Sequence, residues 1–167
     1  LGFGRVGRMV AERARGFNME IHYTDVNRLP PEMEKEAIYH ATPEDLLPNC
    51  DFLAIHCVAT PETTGLLNAE RIALLPDGAI VTNASRGVVI DDDALIAALK
   101  SGKVAAAGLD VYNNEPDIHP DYRELSNAFL MPHIGSATRE TREGMGFRAL
   151  DNLDAFFAGK EPGDRVA

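Results

Sequence analysis

The sequence predicts a doubly wound α/β domain, a parallel sheet with helices on both faces, and three observations carry that reading. Apolar segments of strand length alternate with segments whose apolar residues recur at helical spacing; the strand segments are apolar throughout instead of at every second residue; and a glycine-rich turn stands directly before the first helix. Strands that alternate with helices are joined by crossovers, and a strand apolar on both sides is one buried on both faces, which together indicate a parallel sheet.

The elements follow in order. Over residues 5–17, Val6, Met9, Val10 and Ala14 mark a helix face laid on a sheet, with Gly16 and Asn18 placed to stop it. Residues 19–24 read as a strand ending at Asp25. Residues 27–35, with two prolines and several charges, suit an exposed connection, and residues 37–40 return as a short strand. Thr42-Pro43-Glu44-Asp45 supplies an N-cap, a proline at the first helical position and an acidic first turn. Residues 51–58 form the clearest buried strand. Asn68 caps a helix through Leu75, residues 76–78 turn the chain, and residues 79–82 are another strand. Asp91-Asp92-Asp93 caps a helix over residues 94–100 that Gly102 ends. Residues 104–111 and 128–131 complete the strands, and a last long helix runs from about Ser136 or Ala137 to Phe157, ending at Gly159. No repeat, low-complexity tract or internal linker interrupts the chain.

Length and composition bound the rest. The 167 residues suffice for one domain with a single sizeable core, and 45% hydrophobic with 25% charged residues is ordinary for a globular protein. The longest apolar runs fall short of the roughly 20 residues that a bilayer demands, and the opening glycine turn with arginines offers no apolar signal region. A formal net charge of −10 repels phosphate backbones, and no basic stripe interleaved with aromatics is present, so nucleic acid is excluded as a partner and a membrane surface is disfavoured. The two cysteines, Cys50 and Cys57, read as reduced thiols of a cytoplasmic protein. His22, His40, His56 and His119 lack metal-ligand spacing, so no metal is expected.

Gly2-Phe3-Gly4-Arg5-Val6-Gly7 matches the pattern GxGxxG, in which glycines allow a tight turn, close approach of backbone to a pyrophosphate, and packing of helix on strand. The N–H groups of Arg5, Val6 and their neighbours at the helix start would hold the phosphates. Asp25 follows roughly 20 residues later at the end of a strand, where a carboxylate accepts hydrogen bonds from the adenosine ribose hydroxyls. That combination is Rossmann-type. A carboxylate there repels the extra phosphate of NADP and Val26 beside it brings no positive charge, so NAD is preferred; Arg28 is near enough to keep NADP in play.

Three further polar segments follow strands: residues 83–87 (Asn83, Ala84, Ser85, Arg86, Gly87), residues 109–116, which include Asp110, Tyr112 and Glu115, and residues 131–136, which include His133 and Gly135. Each lies at the strand edge where open α/β sheets bind ligands.

At these motifs the chain resembles the D-isomer-specific 2-hydroxyacid dehydrogenases, and most closely their glyoxylate and hydroxypyruvate reductase branch, from GFGRVG through HCVATPETTGLLN, NASRGVVIDDDAL, AAAGLDVYNNEP and MPHIGSAT. The resemblance implies that Arg86 binds the substrate carboxylate and polarises its carbonyl, a task that suits a planar guanidinium. It implies that His133 donates the proton which the carbonyl oxygen needs as hydride arrives, and that Glu115 is the carboxylate that orients His133 and favours its charged form. By the same resemblance Asp110 binds the nicotinamide carboxamide, Thr63 and the backbone of Cys57, Val58 and Ala59 line the cofactor, and Ala84, Ser85 and Gly135 approach it. The family often has Pro-Leu after the cysteine, where this chain has Val58-Ala59.

The expected activity is hydride transfer between NAD(H) and a small 2-keto or D-2-hydroxy acid, in a homodimer. A glycine motif of this type takes a strand before it, and the family builds a substrate-capping domain largely from preceding residues; both are expected to lie outside residues 1–167, so this segment alone is expected to turn over poorly. Two other readings stay open: an NAD-sensing interaction protein like the corepressors the family resembles, and a non-catalytic domain whose glycine turn is accidental.

Overall fold

Parallel hydrogen bonding organises Leu1–Pro132, the first of two compact units into which the chain divides. The structure, a computed structural model, describes residues 1–165. Helix α1 (Arg5–Arg15) is followed by strand β1 (His22–Tyr23), helix α2 (Pro31–Glu34) and strand β2 (Ile38–Tyr39). Helix α3 (Pro43–Leu46), a 3-10 turn (Leu47–Asn49) and strand β3 (Phe52–Ile55) come next. The rest of the unit comprises α4 (Ala69–Leu74), β4 (Ala79–Asn83), α5 (Asp92–Ser101), β5 (Val104–Leu109) and β6 (Ala128–Leu130). β1 and β2 form one parallel sheet, and β3, β4, β5 and β6 lie side by side in that order in a second.

The helices start where the sequence supplies capping groups. Thr42 accepts from the Asp45 amide, Asn68 from Arg71 and Asp91 from Ala94, each satisfying a donor that the helix leaves unpaired. Gly102, at φ 81°, closes α5 in the left-handed conformation. α1 ends at Arg15, short of Phe17, because Gly16 caps it and Asn18 (φ 58°) turns the chain away.

The core forms where one face of the larger sheet meets α4 and α5. Leu53, Ile55, Val81, Ala107 and Leu109 pack with Ile72, Leu95, Ile96 and Leu99, all buried. On the opposite face Phe52 and Phe129 are 56% and 69% exposed. The run of apolar residues in these strands therefore reads as two-sided burial, whereas burial within this unit alternates along the strand. α1 departs similarly: its buried residues are Gly7 and Ala11, while Val6, Met9 and Val10 are exposed. At Gly7 the helix meets backbone, where an added Cβ would stand 2.5 Å from the Gly2 oxygen, so no larger side chain would fit.

Both outer strands are shorter than their apolar runs: β1 occupies two of residues 19–24 and β3 four of residues 51–58. Among the described residues each has a strand partner on one side only. Between them lies a groove of roughly 600 Å³ whose walls include Val10, Ala14, Ile21, Tyr23, Cys50 and Leu53.

The second unit begins at His133. Its helix α6 (Arg139–Phe157) starts after Thr138, whose hydroxyl accepts from the Thr141 amide, so it begins slightly later than Ser136 or Ala137. No residue of α6 is buried, and Phe147, Leu150, Phe156 and Phe157 are all more than half exposed. Arg148 and Asn152 hold the Asp164 carboxylate against the helix, and those hydrogen bonds, Arg148 first, pull its pKa down to about 2.

Leu95 has no exposed surface, so Leu95→Ala leaves a cavity and is expected to cost about 3 kcal/mol in urea unfolding. Phe17→Ala, at an 80% exposed position, should change stability by less than about 0.5 kcal/mol.

Candidate functional site

Two residues join the sheets. The Gly2 amide donates to the Thr24 carbonyl (2.9 Å) after β1, and the His56 amide donates to the Leu1 carbonyl (2.8 Å) after β3. Gly2 has φ +85°, and a Cβ on it would stand 2.4 Å from the Cys57 nitrogen; a Cβ on Gly7 would stand 2.5 Å from the Gly2 oxygen. Conformation and crowding require glycine at the first of these positions, and crowding requires it at the second. Gly4 differs: its φ is −66° and a Cβ there would have nothing within 4 Å. Among the described residues no atom requires glycine at this position, and the space beside its backbone is open.

That backbone opens α1 without a side-chain cap, and the first turn of α1 contains no acidic residue. Every other α-helix among the described residues carries at least one there. Uncapped N–H groups and an uncompensated dipole make this end a place for an anion.

Asp25 sits beside the turn. Its carboxylate accepts from the Phe3 amide (2.5 Å) and the Val26 amide (2.7 Å), and the Phe3 ring stacks on Tyr23 at 4.2 Å. Arg28 points elsewhere, its Nε and Nη2 donating to the two oxygens of Glu34 at 2.8 and 3.1 Å. Glu34 is buried and also accepts from the Tyr23 hydroxyl at 2.6 Å; the Arg28 guanidinium, then the Tyr23 hydroxyl, hold its carboxyl below the usual range.

The other candidate residues leave one edge of the larger sheet, because the parallel register sets Ile55, Asn83, Leu109 and Leu130 side by side at the strand ends. After β3, Thr63 donates to the Val58 carbonyl (2.7 Å) and accepts from the Thr60 amide, which shapes the loop and leaves Val58 and Ala59 exposed. After β4, the buried Asn83 side chain accepts from the Ser85 amide and hydroxyl and donates to the Arg86 carbonyl, each at 3.0 Å. Ala84 and Arg86 are exposed, and the guanidinium donates to the Ser85 carbonyl at 2.7 Å.

After β5, Asp110 is buried, Tyr112 packs at the loop base with its hydroxyl 2.8 Å from the carbonyls of both Leu109 and Met131, and Glu115 accepts from the Tyr112 amide at 2.8 Å. The loops after β4 and β5 touch at Gly87, where a Cβ would fall 1.9 Å from the Tyr112 carbonyl carbon. Arg86 and Glu115, 29 residues apart in sequence, are thus carried by loops in backbone contact. His133 opens the second unit with φ 54° and is exposed, as is Gly135.

Sequence reasoning took His56 as ordinary and overlooked Asn83 as an organiser. His56 Nε2 is buried without a hydrogen-bond partner among the described residues, and burial pushes its pKa down. Its place between a buried strand and a glycine turn is the signal that could have singled it out. Burial raises the pKa of both thiols, Cys50 and Cys57, so neither is an activated nucleophile.

A glycine turn at an anion-accepting helix end, a carboxylate at the end of the next strand and polar loops along the same sheet edge define a dinucleotide-binding domain. The chain belongs to the family described as D-isomer specific 2-hydroxyacid dehydrogenase, NAD binding domain, whose model matches residues 1–135. It is 47% identical to a glyoxylate reductase of Thermococcus kodakarensis over 97% of this chain and 49% of the relative. It is 42% identical to a glycerate dehydrogenase of Hyphomicrobium methylovorum over 96% of this chain and 50% of the relative. The crystal structure of a D-isomer specific 2-hydroxyacid dehydrogenase from Polaromonas superposes with a TM-score of 0.96 at 49% identity, covering 99% of this chain and 52% of that one. The chain therefore spans about half the length of the curated relatives it matches. No helix among the described residues is long and apolar enough to cross a membrane.

Gly87→Ala should force the two loops apart at an expected cost of about 3 kcal/mol, read as a lower thermal midpoint, because the obstructing atoms are backbone and have no rotamer to escape into.

Proposed function

We propose that the protein containing this chain is an NAD-dependent oxidoreductase that reduces a small 2-keto acid, such as glyoxylate or hydroxypyruvate, to the D-2-hydroxy acid and catalyses the reverse. The observation that carries this reading is the common sheet edge: the glycine turn, Asp25, Arg86 and Glu115 all stand at the ends of strands in a chain of this family. The names of the relatives, a glyoxylate reductase from Thermococcus and a glycerate dehydrogenase from Hyphomicrobium, support the substrate class.

The residues suit the nucleotide. The open space at Gly4 and the bare start of α1 fit a pyrophosphate, and the Asp25 carboxylate, after exchanging its backbone donors, fits ribose hydroxyls. Cys57, Val58, Ala59, Thr63, Ala84, Ser85, Asp110 and Gly135 line the remainder in this reading. NAD, when bound, supplies the hydride acceptor or, reduced, the donor. Arg86 holds the substrate carboxylate and draws electron density toward the carbonyl oxygen. As the new C–H bond forms and the carbonyl π bond breaks, that oxygen takes a proton, whose donation the family resemblance gives to His133 with Glu115 as its carboxylate partner. A negative carboxylate at Asp25 favours NAD over NADP, although an NADPH-dependent glyoxylate/hydroxypyruvate reductase from Sinorhizobium meliloti shares the fold at a TM-score of 0.95 and 32% identity.

In the same reading, residues 1–167 are the nucleotide-binding domain, and an extended segment leading into Leu1 fills the groove between β1 and β3 as a parallel strand. Supporting this, Leu1 and Gly2 already pair with the ends of both strands, the walls are largely apolar, and His56, which lines the groove, has an Nε2 without a partner among the described residues. A substrate-capping domain, a cytoplasmic location and a homodimer complete the proposal.

Full-length protein should oxidise NADH in the presence of glyoxylate or hydroxypyruvate, followed by loss of NADH absorbance. Asp25→Ala is expected to weaken NADH binding about tenfold, measured by nucleotide fluorescence. His133→Ala should lower kcat by roughly 10²–10⁴ with the circular dichroism spectrum unchanged. Wild-type turnover from a His133→Ala protein would sink the assigned chemistry and favour the nucleotide-sensing reading.

A further inference from the structure

We propose that Glu34 sets the nucleotide preference of this site by withholding Arg28 from it, so that breaking their ion pair admits a nucleotide with an extra phosphate on its adenosine ribose. The inference rests on the reading that the glycine turn and Asp25 hold the nucleotide, and it names the residue that decides which nucleotide.

A ribose phosphate adds up to two negative charges next to the Asp25 carboxylate, and accommodating it takes a cation on the same segment. Arg28 is the only basic residue between Asp25 and Glu34. Its guanidinium presents the fork that a phosphate accepts in bidentate form, but Glu34 takes the same geometry with both carboxylate oxygens. The pairing is reinforced from three sides. The Tyr23 hydroxyl donates to Glu34 Oε1 and accepts from the Leu29 amide (3.2 Å), which folds the loop back over β1. The Arg28 head group lies 5.3 Å from the centre of the Tyr39 ring, within cation–π range. The neighbouring cation Arg15 is committed as well, donating to the carbonyls of Glu34 (3.1 Å) and Lys35 (2.6 Å).

The two partners are unequal in a way that matters. The Glu34 side chain is 9% exposed and that of Arg28 61%. The carboxylate is fixed in the protein while the guanidinium reaches it from the solvent side, free to swing once the carboxylate is removed. Neutralising Glu34 also subtracts one negative charge from the segment that follows Asp25. Both changes favour a phosphorylated ribose, and neither touches the groups proposed to hold the pyrophosphate.

The test uses full-length protein with NADH and NADPH as probes, their dissociation constants measured by fluorescence for wild type, Glu34→Gln, Glu34→Ala, Arg28→Ala and Glu34→Ala/Arg28→Ala, with a thermal melt of each. Both Glu34 variants are expected to shift the affinity ratio toward NADPH by about tenfold, the worth of one charge-assisted hydrogen bond. Arg28→Ala should keep the wild-type ratio, and the double variant should lose the gain. Glu34→Gln preserves an acceptor for Tyr23, so it decides the matter if Glu34→Ala melts at a much lower temperature. An unchanged ratio in a folded Glu34→Gln protein that binds NADH overturns the assignment to Glu34 alone, as does a gain that persists without Arg28. A wild-type protein that binds neither nucleotide overturns the nucleotide reading itself.

Discussion

The passage of Leu1 and Gly2 between the two sheets is the constraint on which the remaining geometry depends. One amide and one carbonyl bind the ends of strands that otherwise share no ladder, and the backbones approach so closely that a single methyl group would separate them. Fixing that crossing fixes where α1 begins. It also brings the Asp25 carboxylate within reach of Phe3 and puts His56 and Cys57 beside the turn. Removal of the crossing would leave the β1–β2 pair attached to the larger sheet mainly through connections, with the anion-accepting helix end aimed at nothing.

The larger sheet contributes order of another kind. Parallel register brings four strand ends into line, and the loops that leave them are then shaped by a few buried polar contacts. The Asn83 amide satisfies three groups of its own loop, the Tyr112 hydroxyl bridges two neighbouring carbonyls, and Thr63 closes the loop after β3. Such contacts hold backbone in irregular conformations that no sheet or helix would support, which allows Ala84 and Arg86 to remain exposed without the loop being slack.

Much of this was legible in the sequence, and the limits have physical causes. The glycine requirement at position 2 is local, a matter of φ and contact with one strand, so the motif announces it. Helix starts were readable for the same reason, since Thr42, Asn68 and Asp91 act within three residues of themselves. The outer strands were read too long because an apolar run records hydrophobicity, whereas a ladder needs a partner. α1 was assigned a face of Val6, Met9 and Val10, but the residues it buries are Gly7 and Ala11, and at Gly7 steric fit outweighs apolar area. The need for glycine at position 87 depends on Tyr112, which is remote in sequence, and the Arg28–Glu34 pair depends on how a proline-containing loop folds back. Neither leaves a local signature, and the division after Pro132 is preceded by no low-complexity stretch.

The economy of the loop after β4 bears on how such a scaffold diversifies. Its path is determined by a side chain beneath it, Asn83, and by a missing side chain, at Gly87, so the outward residues Ala84 and Val88 carry little of the structural burden. Natural drift or a directed library could replace those two with bulkier or charged groups and reshape the surface around Arg86 while the frame stays intact. Adaptability and rigidity reside in different atoms of the same short segment.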